Sequence, residues 1–246
     1  MPRVSSNHLR ELGKPPSASS ARTSKTSRPG WPEIIVGLVV YLIVGFGGVS
    51  LFKQLGLDPV VHGLILTAWT GVATLIAFTA AARLRICSLS AFGVRRTSSR
   101  WLLTSVGVGL VAFVLKGLAI MAWIQITGDT DNVQDVYAEG GRGGLLSLVL
   151  STVLISVFSP FGEELLYRGI VANALLRYGS FAGVVGSTVI FALMHGINIV
   201  FPAAIVAGLA TAEVFRRSGS IWPGLVVHIV FNLPTIPIMV LVGTGG

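Results

Sequence analysis

Apolar residues fall into seven runs: 34–52, 60–82, 101–126, 145–166, 181–199, 201–215 and 221–242. A helix needs about 20 mostly apolar residues to cross the hydrocarbon core of a bilayer, and each run is predicted as such a span. The sixth is short, and Pro234 and Pro237 are placed to break the seventh, so the count lies between six and eight. Trp31, Trp101 and Trp222 stand at the starts of runs, where interfacial aromatic anchors belong. The first run is longer than the roughly 7–15 residues of a signal-peptide core. Residues 1–33, rich in Ser, Pro, Lys and Arg, read as a disordered basic arm that buries too little apolar surface to offset chain entropy.

Composition agrees. Of the 246 residues 52% are hydrophobic and only 11% charged, with a mean hydropathy of +0.80. A soluble domain carries about 25% charged residues, so an ordinary cytosolic enzyme and a disordered chain are excluded. The net charge of +8 resembles a nucleic-acid signal, but its distribution argues against a nucleic-acid partner. Basic residues gather in the arm, in segment 83–100 (Arg83, Arg85, Arg95, Arg96, Arg100), and at Arg168, Arg177, Arg216 and Arg217. The intervening connections are nearly devoid of basic residues, and 127–144 is acidic, with Asp129, Asp131, Asp135 and Glu139 against Arg142. This alternation is the positive-inside pattern of a polytopic protein with a cytoplasmic N-terminus, expected in the plasma membrane. A lone cysteine, Cys87, excludes a disulfide framework and a thiolate zinc cluster.

Charges inside a bilayer cost at least about 2.5–3.5 kcal/mol each on insertion scales and call for a reason. Three groups stand out. Glu163 and Glu164 end the fourth run, with Arg168 one helical turn after Glu164 and able to pair with it. Successive helical residues point about 100° apart, so the two carboxylates need not share one task. His195 lies in the fifth run after Phe191, and His228 and Asn232 share one face of the seventh. Taken singly, each has a bland reading: interfacial charges, a hydrogen-bonded core histidine, interhelical glue. Together they can furnish a polar pocket in a dry surround. A carboxylate taken out of water is a stronger base and can activate a water. Histidine and asparagine donors can stabilise an oxyanion. Glu163, His195 and His228 would equally suit a Zn2+ ion with an open position. The residues alone leave both options open.

In this order and on successive apolar segments, E-E-x-x-x-R (163–168), F-x-x-x-H (191–195) and H-x-x-x-N (228–232) resemble the CPBP family. These are the Abi, or type II CAAX prenyl endopeptidase, intramembrane proteases. The resemblance covers roughly 145–240 and implies a catalytic transmembrane core over 145–242, after N-terminal spans over 34–144. It implies that Glu163 activates the attacking water with help from His195, that His228 and Asn232 form the oxyanion hole, and that Glu164 and Arg168 hold the site as an ion pair. The family has been described both as metalloproteases and as metal-free glutamate proteases. Its eukaryotic members trim prenylated CAAX proteins, and bacterial relatives have been linked to bacteriocin immunity.

The expectation is therefore an all-α polytopic bundle of about seven spans. It is expected to act as an intramembrane endopeptidase on a membrane-embedded or lipidated protein. Alternatives are a non-catalytic membrane partner, such as an immunity protein, and a proton-coupled transporter. No internal symmetry supports the transporter. The drawn bounds place Glu163 at the cytoplasmic end of span four, implying cytoplasmic access. They also place His195 about 21 Å along span five. For the two to share a site, either span five starts later or span four runs on. Lys116, in the middle of span three, is read as snorkelling or facing a polar cavity. Glu213 is read as pairing with Arg216 or Arg217, and His62 as interfacial. Asp129, Asp131 and Asp135 lack the glycine and closing glutamate of a calcium loop.

Overall fold

The computed structural model describes residues 28–86 and 88–242. Most of the predicted arm and Cys87 lie outside the described residues. α1 begins at Trp31 (Trp31–Gln54), within the last residues assigned to the arm. Pro32 sits in the first turn of α1, where no N–H is needed. The other elements are α2 (Pro59–Ala82), α3 (Ser99–Thr127), a short α4 (Asp135–Glu139), a continuous α5 (Leu145–Tyr178), α6 (Ala182–Met194), α7 (Phe201–Ser218), α8 (Ile221–Asn232) and α9 (Thr235–Val242). Among the described residues there is no strand. Helices are the expected answer in lipid, where every backbone polar group must be satisfied within its own segment.

Local chemistry sets the ends. Asp58 caps α2 by accepting from the N–H groups of Val60 (3.0 Å) and Val61 (3.3 Å). Ser98 and Ser220 do the same for α3 and α8. Gly128 (φ 71°) and Gly219 (φ 66°) end α3 and α7 in the left-handed conformation. Pro234 breaks the seventh run as expected, while Pro237 falls in the first turn of α9 and is accommodated there.

Five helices are long and apolar enough to cross a membrane: α1, α2, α3, α5 and the α8–α9 stretch Ile221–Leu241. The apolar α6 is shorter, and α7 completes the set of about seven. Two bounds differ from the sequence reading. Span four continues to Tyr178, 34 residues in all, so Glu163 lies near its middle rather than at its end. Span five stops at Met194 rather than at residue 199, with His195 at its C-terminus. Both differences close the mismatch in depth between Glu163 and His195.

α1 packs on α2 and α2 on α5; α3 packs on α7 and α8, and α6 on α7. Small residues set the close approaches. A Cβ on Gly162 of α5 would stand 2.9 Å from the Gly71 carbonyl oxygen of α2 and would also strike the Thr74 hydroxyl. α5 contains two stretches of i→i+5 hydrogen bonding, Leu154–Phe158 and Glu164–Ala172. Such turns recur at functional sites, and here they flank Glu163. The buried core centres on the second stretch, in which every residue from Glu164 to Ala172 is buried.

Candidate active site

α5 carries the two glutamates toward different neighbours. Glu163 faces a cavity of about 450 Å³, whose wall includes Tyr41 of α1, Trp69 and Thr70 of α2, Ser159 of α5, His195 and Tyr137. Ser159, one turn before Glu163, donates to Glu163 Oε1 (3.0 Å) and lies 2.9 Å from Thr70 Oγ1. That link between α2 and α5 depends on the contact Gly162 permits. Glu164 points away from the cavity and is fully buried.

His228 of α8 joins the pair. Its Nδ1–H donates to Glu164 Oε1 (3.0 Å), and its Nε2 stands 3.6 Å from Glu163 Oε2, an ion-pair contact rather than a hydrogen bond. Arg168 is also buried, with Nε 3.5 Å from Glu164 Oε2. Its Nη2 donates to the Thr211 hydroxyl of α7, and its guanidinium lies 4.6 Å from the Phe191 ring centre. The Glu164–Arg168 pair expected from i,i+4 spacing is present. The cluster holds two carboxylates and one guanidinium.

His195 reaches the cavity from the end of α6. Its Nδ1 lies 2.8 Å from the Phe191 carbonyl oxygen. A carbonyl only accepts, so Nδ1 carries the hydrogen and a neutral ring keeps its lone pair on Nε2. Phe191 packs its ring 4.6 Å from His195, 4.9 Å from Tyr167 and 6.0 Å from His228 (centroid distances). This phenylalanine is therefore the apolar wedge that spaces both histidines and the arginine. Asn232 donates to the Ile155 carbonyl oxygen (3.3 Å), in the first i→i+5 stretch of α5. The six candidate residues thus lie on α5, α6 and α8. Glu163, Glu164, Arg168 and His228 form one contact network; Glu163 and His195 share the cavity wall; Asn232 is tied to α5 by its own bond. Among the described residues no three His, Cys, Asp or Glu side chains are grouped so as to hold a metal ion.

Residues 145–234 match the family described as type II CAAX prenyl endopeptidase Rce1-like. Over that stretch the chain is similar to the CPBP family. The CPBP segment opens at the start of α5, closes just past α8, and contains all six candidate residues. No curated protein and no solved structure matches the chain. Several long apolar helices and the CPBP segment make this an integral membrane protein related to CAAX-type endopeptidases.

Sequence reasoning missed the cavity partners that come from outside the CPBP segment. Tyr41, Trp69, Thr70 and Tyr137 are isolated polar or aromatic positions with no spacing signal. Ser159, four residues before Glu163, could have been found as an i,i+4 partner on the same helix face. Of the other polar residues, Lys116 donates to Thr235 Oγ1 (2.7 Å) and lies over the Phe231 ring. Glu213 pairs with both Arg216 and Arg217.

Proposed function

We propose that the protein is an intramembrane endopeptidase that hydrolyses a peptide bond of a membrane-associated protein through a water activated by Glu163. The observation that carries this reading is one carboxylate, Glu163, facing a cavity with a histidine lone pair on its wall and a second histidine against its other oxygen.

The reaction follows from those positions. Glu163, oriented by Ser159, takes a proton from a water lying between it and His195 Nε2. The water oxygen bonds to the carbonyl carbon, and the carbonyl π pair moves onto oxygen. The His228 ring and the Asn232 amide are the donors assigned to that oxyanion. Collapse of the intermediate breaks the C–N bond, and Glu163 returns its proton to the leaving amine. Glu164 and Arg168 touch no substrate in this scheme. They fix the ring of His228, and with it the geometry at Glu163. No step requires a metal, and none is routed through one. Glu163→Gln keeps the shape and removes the base, so cleavage should vanish while abundance and insertion are unchanged. Turnover by Glu163→Gln at the parent rate would overturn the assignment.

A further inference from the structure

The two ends of the bundle differ in charge, and the cavity reaches only one of them. At the first end Arg85 pairs with Glu33 (2.6 Å), Trp31 Nε1 donates to Tyr178 (3.0 Å), Arg177 donates to the Pro29 carbonyl, and Ser220 donates to the Arg95 carbonyl (2.8 Å). This end gathers the start of α1, the 83–98 connection, the end of α5 and the start of α8. It holds Arg83, Arg85, Arg95 and Arg96, with Arg216 and Arg217 at the end of α7. The opposite end gathers the α1–α2 turn, α4 and α9, with Asp129, Asp131, Asp135 and Glu139. There Gly63 of α2 meets the backbone at Gly140, and Asn132 lies against Met239. By the positive-inside rule the arginine end is cytoplasmic and the acidic end faces outward.

The sequence reading placed access on the cytoplasmic side because Glu163 was drawn at the end of its span. In the fold the path from that side is filled by the buried stretch Glu164–Ala172. From Glu163 the cavity runs the other way, past Thr70 and Trp69 to Gln134, Tyr137 and Asn198 at the acidic end. One side of it is apolar and exposed: Phe46 of α1 is 58% exposed and Leu193 of α6 is 50% exposed, and both line the cavity. Exposed apolar side chains in a membrane helix face acyl chains, so the cavity meets lipid at this point.

We infer that the site takes its substrate from the outer half of the bilayer: an extended, apolar-flanked segment at the extracytoplasmic end of a membrane-anchored protein. It does not take a cytoplasmic carboxy-terminal tail. The inference rests on the protease reading for the existence of a substrate, and on charge and cavity geometry for its side. Gln134 and Asp131 sit where that segment enters, and Arg96 marks the closed end.

The test combines labelling with cleavage mapping. In a Cys87→Ser background, Gln134→Cys and, separately, the exposed Asp131→Cys should react with a membrane-impermeant maleimide in intact cells. Arg96→Cys should react only after permeabilisation. The reverse pattern would overturn the proposal whatever the enzyme cuts. Termini present in parent membranes and absent with Glu163→Gln should map to outward-facing ends of membrane segments. Termini at cytoplasmic tails would overturn the proposal while leaving the protease reading intact. Expected labelling with no Glu163-dependent termini would remove the protease reading, and the proposal with it.

Discussion

Arg168→Met isolates the buried network from the reacting groups. Methionine keeps most of the volume and removes the charge. At 3.5 Å the pairing with Glu164 is worth about 5 kcal/mol at an effective dielectric near 20. The substitution also removes the donor to Thr211 and the cation over Phe191. Glu164 would keep only the His228 N–H, inside a fully buried site. Removing one partner of a buried pair typically costs about 3–5 kcal/mol, because the other charge is left uncompensated. That is a large part of a total stability of about 5–15 kcal/mol. The double variant Glu164→Gln/Arg168→Met removes both charges and should recover at least half of the loss. Equilibrium unfolding of the purified protein in micelles, by steric trapping, reads both values. An Arg168→Met protein within about 0.5 kcal/mol of the parent, on the scale of ordinary surface substitutions, would refute a load on this pair. So would a double variant less stable than Arg168→Met alone.

Three further outcomes follow from the same geometry. Gly224→Ala would place a Cβ 2.7 Å from Glu164 Oε2 and should cost about 1–3 kcal/mol by overpacking; Gly47→Ala, which meets nothing within 4 Å, should be neutral in the same unfolding assay. Ser159→Ala removes a donor to Glu163 Oε1 worth about 1 kcal/mol, so kcat should fall about fivefold with KM unchanged; an unchanged kcat would show that Ser159 does not orient the base. On the proposed water-activating role of Glu163, a zinc chelator should leave cleavage untouched; loss of activity restored by added Zn2+ would return the reaction to a metal.

The sequence carried the architecture and the six motif residues because both signals are local. Apolar runs of spanning length, and acids or histidines inside them, are visible without knowing what packs on what. Depth was less legible. The end of span four was drawn at Leu166, but α5 runs to Tyr178 and Arg168 is neutralised by Glu164 rather than by water. An arginine that reads as the end of a span is here an internal ion pair. The cavity wall was illegible for another reason. Thr70 becomes a site residue only because Gly162 lets α2 and α5 approach. Tyr137 does so only because the acidic connection folds back and is held by Ser151, which donates to its carbonyl oxygen. Those are consequences of tertiary packing, and no spacing along the chain announces them.

Everything proposed for the site turns on Glu163 activating water for peptide hydrolysis. The most direct test of that role is quantitative mapping of peptide termini in membranes that contain either the parent protein or Glu163→Gln at equal abundance. A set of termini should be present with the parent and lost with Glu163→Gln. Identical termini in the two membranes, with both proteins folded and inserted, would contradict that role.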